Sequence, residues 1–208
     1  MVINMEEKKT LPNPSEMTEI ERPERIKEIL SELKALRPFT RLDWNRGFED
    51  ALQLDVGTWK DSWTIREHTL GEDALRLDFI VVSGGKLSPD VKAVYKRFLR
   101  KNVIEFKGRG DKLTLLTIYK VAGYANYYIA TAKADEDVHI GEVTATIFAS
   151  EREDGLFEEM EKSGQLEKTD VKGIYLVKGI LDMPFQIVMT SEIEGVEYDA
   201  YRVLKTQV

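Results

Sequence analysis

Two short apolar segments that carry charged residues constrain the fold of this chain more than any other feature. The first, LRLDFIVV at 75–82, contains Asp78, and the second, NVIEFK at 102–107, contains Glu105 and Lys107. Because side chains alternate between the two faces of a strand, Glu105 and Lys107 fall on the same face of the second segment. The pattern predicts two strands of a sheet, with two acids and a lysine directed toward one point.

These charges have two interpretations. Backbone positions two residues apart on a strand lie roughly 6–7 Å apart. Glu105 and Lys107 are therefore close enough to act with Asp78 on one metal-bound water. The other interpretation is a cross-strand ion pair at a sheet edge, which is common where strands end in charged residues. The spacing alone leaves both open.

A longer pattern extends from these segments. An Asp in an apolar strand, a strand that ends in Glu-x-Lys and a long amphipathic helix together resemble the core of the PD-(D/E)XK nuclease superfamily. The stretch NVIEFKGRGDKLTLLTIYKVAGYANYYIA is similar to a bacterial branch of that superfamily, in which a strand ending E-[YF]-K precedes a short polar loop and a helix. The likeness covers about residues 40–204. It implies an α/β fold, with a restriction-endonuclease-like central mixed β-sheet flanked by helices.

The resemblance also implies a function. It points to a metal-dependent phosphodiesterase, a nuclease that cleaves DNA or RNA by in-line attack of a metal-activated water. Asp78, Glu105 and the main-chain carbonyl of Phe106 would hold Mg²⁺ or Mn²⁺, and Lys107 would position or deprotonate the water. In this superfamily an acid of the first helix often joins the metal site, and Glu49 is the matching residue here. An ion pair with a neighbouring arginine is its alternative role.

The helix predicted at 113–131 carries another part of the resemblance. In the exonuclease branch, a Gln-x-x-x-Tyr pair on this helix approaches the active site. The same spacing here holds Lys120 and Tyr124, so the lysine departs from the pattern. We expect both residues to contact nucleic acid, although tyrosines on a helix are also common as packing residues.

Charge is distributed unevenly along the chain. The net charge of −7 argues against general adhesion to nucleic acid, because phosphate binding needs a concentrated positive field. Between 86 and 112, however, nine Lys or Arg accompany three acids, a net +6 that leaves −13 elsewhere. We expect a basic ridge beside the acids that binds nucleic acid through Lys96, Arg97, Arg100, Lys101, Arg109 and Lys112. A solvated helix face with charged loops is the alternative.

Cysteine and histidine usage narrows the choice of metal and compartment. The chain has no cysteine and two histidines, which disfavours zinc, and hard oxygen ligands favour magnesium or manganese. No apolar run approaches the roughly 20 residues that span a bilayer. The N-terminus also lacks the apolar region of a signal peptide. We expect a soluble, cytoplasmic protein without a membrane partner.

Length and apolar content predict one main domain. A chain of 208 residues with 42% apolar content can bury one good core, which we assign to 38–208. Residues 1–37 are predicted to form a flexible arm followed by an amphipathic helix, which could dock on the domain or on a second copy in a homodimer.

Two other functional classes were compared with the nuclease. The acidic total and the lack of an evident DNA-reading motif suit a catalytically idle nuclease-fold module that binds nucleic acid or protein. A dehydrogenase or another nucleotide enzyme is disfavoured, because no strand-turn-helix carries a glycine fingerprint.

Overall fold

The computed structural model describes residues 41–70, 75–131 and 138–202. The predicted arm and amphipathic helix at 1–37 lie outside this part of the chain. The described residues form four α-helices: α1 (Arg41–Val56), α2 (Leu115–Thr131), α3 (Asp154–Lys162) and α4 (Asp199–Arg202). They also form seven strands: β1 (Trp63–Leu70), β2 (Leu75–Val82), β3 (Lys101–Lys107), β4 (Val143–Ala149), β5 (Leu166–Lys168), β6 (Ile174–Val177) and β7 (Phe185–Met189).

All seven strands belong to one sheet, with the order β1-β2-β3-β4-β7-β6-β5. The pairs β1/β2 and β2/β3 are antiparallel, β3/β4 and β4/β7 are parallel, and β6 and β5 continue antiparallel from β7. Helix α2 makes the crossover between the parallel strands β3 and β4, as parallel neighbours require. The predicted α/β class with a central mixed sheet and flanking helices is therefore confirmed.

The sheet separates two apolar cores. On one face, α2 and α3 cover alternate residues of the central strands, including Val103 of β3. On the other face, α1 and α4 cover the intervening residues, and the ring of Phe48 stacks on that of Phe106 with centroids 4.3 Å apart. The central strand β4 is buried along its whole length, as expected for a parallel strand covered on both faces.

The connection between β2 and β3 differs from the sequence prediction. The pattern predicts a short basic helix at 91–99, whereas the structure has a single 3-10 turn at Ala93–Tyr95. Polar side chains of the sheet hold this connection: Gln186 donates to the carbonyl of Val94 at 2.7 Å, and Asn102 accepts from the N–H of Leu99 at 2.9 Å. The first of these bonds joins positions 92 residues apart, and such tertiary context overrides the local helical preference.

Candidate active site

The pairing of β2 with β3 brings the two predicted acids to adjacent strands. The register pairs Ile80 with Val103 and ends at Phe79 with Ile104, so Asp78 and Glu105 are the next residues of β2 and β3 beyond the end of this ladder. Ile80 and Val103 belong to the core beneath α2. Because side chains alternate, Asp78 and Glu105 face that same side of the sheet.

A hydrogen bond ties Asp78 to β3. The main-chain N–H of Phe106 donates to Oδ2 of Asp78 at 3.0 Å. The carboxylate of β2 thus reaches across to the strand that carries Glu105 and Lys107. In a strand, the N–H and the carbonyl of one residue point the same way. The carbonyl of Phe106 therefore faces the same side of β3 as the Asp78 carboxylate.

Glu105 and Lys107 form a buried ion pair within β3. Nζ of Lys107 lies 2.5 Å from Oε1 of Glu105, and the two residues are 8% and 2% exposed. An ion pair taken out of water has lost much of its hydration, and only close geometry recovers that free energy. The predicted alternation is thus confirmed, but the pair lies inside the protein and not at a solvated sheet edge.

Helix α2 adds a fourth charged group, Lys120, to the site. The pKa of Lys120 lies above its ordinary value, chiefly because of its hydrogen bond to the Tyr124 side chain. The charges of Glu105 and Asp78 raise it further, while burial acts in the opposite direction. The field of both acids therefore reaches the Lys120 ammonium. Tyr124 itself is 6% exposed, so its ring packs beneath the lysine and is not open to solvent.

The ligand atoms at this point are all oxygens. Asp78 and Glu105 supply carboxylates, and Phe106 supplies a main-chain carbonyl on the side of Asp78. This donor set suits a hard cation such as Mg²⁺ or Mn²⁺. Across the described ranges, no three side chains of His, Cys, Asp or Glu are grouped closely enough to hold a metal ion. A cation here would thus depend on the carbonyl and on its own waters, as Mg²⁺ commonly does.

The predicted basic residues separate into two groups. Arg109 and Lys112 are exposed in the loop that directly follows Lys107, at the end of β3 that carries the acids. Lys101 begins β3 at the opposite end, six residues from Lys107 or about 20 Å along an extended strand. The rest of the predicted ridge lies beyond that far end, at Lys96, Arg97 and Arg100. The structure therefore brings only the first group to the acids.

Glu49 is placed on the other face of the sheet. Its Oε2 lies 3.1 Å from Nη1 of Arg66 on β1. Arg66 pairs with Phe79, which belongs to the core beneath α1. The ion pair with an arginine, one of the two roles considered for Glu49, is thus present. The structure does not bring this carboxylate together with Asp78 and Glu105, and its catalytic role stays a prediction.

A second buried ionic cluster has no signal in the sequence. Asp55, at the end of α1, is 4% exposed and accepts from Nζ of Lys92 at 2.8 Å, from the Tyr95 hydroxyl at 2.7 Å and from the Tyr201 hydroxyl at 3.2 Å. Burial and the Asp55 charge raise the pKa of Tyr95 well above its ordinary value. These bonds join α1, the β2–β3 connection and α4. The cluster acts as a tertiary tie between elements far apart in sequence.

No family model, curated protein or solved structure matches this chain. Among the described helices, none is both long enough and apolar enough to cross a membrane.

Proposed function

We propose that the protein is a metal-dependent phosphodiesterase that cleaves DNA or RNA at the point where Asp78, Glu105 and Lys107 meet. One observation carries the proposal: Asp78 bonds to the β3 backbone beside the buried Glu105–Lys107 pair. Two carboxylates on one sheet face could hold a divalent cation, and an ammonium beside them could position the water that attacks a phosphodiester.

We further propose that the sheet is of the restriction-endonuclease-like type. The resemblance rests on an Asp-bearing strand, a strand ending in Glu-x-Lys and the helix that follows. These three elements are β2, β3 and α2, which are neighbours around the acids. Their spatial adjacency supports the proposal, because a restriction-endonuclease-like site needs these three elements to lie side by side.

The residues have separable roles in this proposal. Asp78, Glu105 and the Phe106 carbonyl would hold Mg²⁺ or Mn²⁺, which polarises a phosphate and lowers the pKa of a bound water. Nζ of Lys107 donates to Oε1 of Glu105. From that position Lys107 would position or deprotonate the attacking water.

Positive charge around the acids would hold the substrate. Lys120, whose pKa lies above its ordinary value because of its hydrogen bond to Tyr124, carries an ammonium that can donate to a phosphate oxygen. Arg109 and Lys112 extend the positive charge from the same end of β3. Phosphate contacts of this kind fix the position of a nucleic acid without reading its sequence.

The test is a cleavage assay with single- and double-stranded DNA and RNA in Mg²⁺ or Mn²⁺. We expect cleavage that EDTA abolishes and that falls at least a hundredfold in Lys107→Ala and Glu105→Gln. Lys172→Ala is the matched control, because Lys172 lies 2.5 Å from Glu194 in an exposed pair. Cleavage that survives Lys107→Ala, or its absence on every substrate, would refute the proposed catalytic site.

The second candidate is a catalytically idle module with the same fold. The observation in its favour is that Lys107 already neutralises Glu105, which weakens the demand for a cation. Titration calorimetry with Mg²⁺ and Mn²⁺ separates the two. An idle module gives no heat of metal binding and binds nucleic acid or protein without turnover.

A further inference from the structure

The outer face of α2 contains a glycine that the protein itself does not require. Gly123 lies in the middle of the helix and is exposed. A Cβ built on it meets no atom within 4 Å, so internal packing does not demand a glycine here. Glycine destabilises a helix interior relative to alanine because it loses more backbone freedom on folding. Close approach of another molecule to the helix backbone would explain its presence.

The residues around Gly123 form a surface suited to flat, anionic ligands. Tyr119 and Tyr127 lie one turn before and one turn after it, and Lys120 lies three residues before it, so all three are its neighbours on the helix surface. Tyr119 is 49% exposed and Tyr127 is half-buried. Together these four residues define a glycine shelf: an open stretch of backbone with an aromatic ring at each end and a cation beside it.

The shelf is continuous with the candidate active site through Lys120. On one side, the charges of Glu105 and Asp78 act on the Lys120 ammonium. On the other side, Lys120 directly follows Tyr119 of the shelf in the chain. Lys120 is also the one charged residue among the 17 of α2. The exposed face of the helix therefore lacks the mixed charges of an ordinary solvated helix, and Leu116, one turn before Lys120, is 77% exposed.

We propose that the glycine shelf seats the unpaired bases of a single-stranded nucleic acid; this substrate class rests on the proposed nuclease function. Bases of a single strand can stack on exposed aromatic rings, whereas bases of a duplex are stacked on one another and present only their edges. Because Gly123 has no side chain, a base has room between the rings of Tyr119 and Tyr127. Lys120 can then contact the adjoining phosphate. The chemistry suits DNA and RNA single strands alike.

The test measures binding in EDTA, where cleavage does not interfere. Fluorescence anisotropy of the full chain is followed with labelled thymidine and uridine homopolymers and with a duplex of equal length. We expect the single strands to bind more tightly than the duplex. Tyr119→Ala should weaken single-strand binding about 5- to 100-fold, and Tyr119→Phe, which keeps the ring, should retain it.

Gly123→Ala gives the sharpest result because stability and binding should change in opposite senses. We expect the Tm to rise by about 1–4 °C while single-strand binding weakens several-fold. Gly155→Ala on α3 is the matched control, since a Cβ there also meets no atom within 4 Å. It should leave binding unchanged. Equal affinity of wild type and Gly123→Ala, or tighter binding of the duplex, overturns the proposal.

Further outcomes separate this inference from the nuclease proposal. If no oligonucleotide is cut but Gly123→Ala still weakens single-strand binding, the nuclease proposal falls and the shelf stands. If only duplexes are bound and cut, the nuclease stands and the shelf falls. Sedimentation of wild type and Gly123→Ala covers a second copy as the occupant: a homodimer that the substitution dissociates, with oligonucleotide binding unaffected, also overturns the shelf.

Discussion

Substitution of Lys107 by Met tests how much the free energy of unfolding depends on the buried Glu105–Lys107 pair. Nζ of Lys107 and Oε1 of Glu105 are 2.5 Å apart. Two unit charges at that distance attract with roughly 7 kcal/mol at an effective dielectric constant of about 20. Much of this is offset by the hydration that both groups lose. Lys107→Met leaves Glu105, which is 2% exposed, without its counter-charge.

We expect Lys107→Met to lower the free energy of unfolding by about 3–5 kcal/mol, the usual cost of removing one member of a buried pair. The double variant Lys107→Met/Glu105→Met should recover most of that loss, because apolar side chains of similar volume replace a buried pair at little cost. Urea unfolding at neutral pH measures both. Lys172→Met, in the exposed pair with the same nitrogen–oxygen distance, should cause no measurable change.

Metal addition extends the same experiment to function. A cation that binds only the folded protein stabilises it by about 2.7 kcal/mol at one hundred times its Kd. We expect Mg²⁺ or Mn²⁺ to stabilise Lys107→Met more than wild type at the same concentration, because the cation takes over the neutralisation of Glu105. In the absence of metal, a loss of unfolding free energy below about 1 kcal/mol in Lys107→Met would refute the expected cost of breaking the buried pair. The absence of any metal effect in both proteins would refute the metal site, and equal stabilisation of both would refute the idea that the cation replaces Lys107.

Three further predictions follow from particular contacts. Gly84→Ala should destabilise by about 1–3 kcal/mol in urea unfolding, because its Cβ would lie 2.3 Å from the carbonyl oxygen of Asp61; unchanged stability would contradict the close approach. Burial raises the pKa of Tyr175 from 10.0 to about 12, so its neutral form stabilises the fold below pH 10 and that contribution is lost as the pH rises toward 12. Tyr175→Phe should therefore lose less stability than wild type across that window, and equal losses would count against it. Arg109→Ala should weaken oligonucleotide binding more than Arg97→Ala in anisotropy titrations, since only Arg109 lies at the acid end of β3; the reverse order would show that the far end binds the substrate.

The parts of the site that the sequence predicts correctly are those that depend on local geometry. Glu105 and Lys107 share a face because two residues on a strand always do. The convergence with Asp78 needs only that two consecutive strands pair, and consecutive strands are usually neighbours in a sheet. The coarse α/β class follows from the same alternation of strand-like and helix-like periods.

The predicted residues that the structure does not bring to the acids depend on distances that periodicity does not contain. Arg100 and Arg109 are only nine residues apart in sequence. They lie far apart in space because most of the residues between them form the extended strand β3. A helical period shows which face of α1 is apolar, but it does not show which face of the sheet α1 covers. The sequence alone therefore does not fix the position of Glu49. In α2, Tyr119 and Tyr124 lie five residues apart, about 140° around the helix axis, so the first is exposed and the second is buried.

The two buried ionic clusters have different structural consequences. Asp55 bonds to partners 37, 40 and 146 residues away. The hydration that its carboxylate loses on burial is therefore offset by hydrogen bonds that join three elements. Glu105 and Lys107 are two residues apart on one strand, and their bond joins no separate elements. Apolar residues of similar size would replace the pair at little cost in stability. A buried pair that joins no separate elements and lies beside Asp78 is the arrangement on which the proposed nuclease site depends.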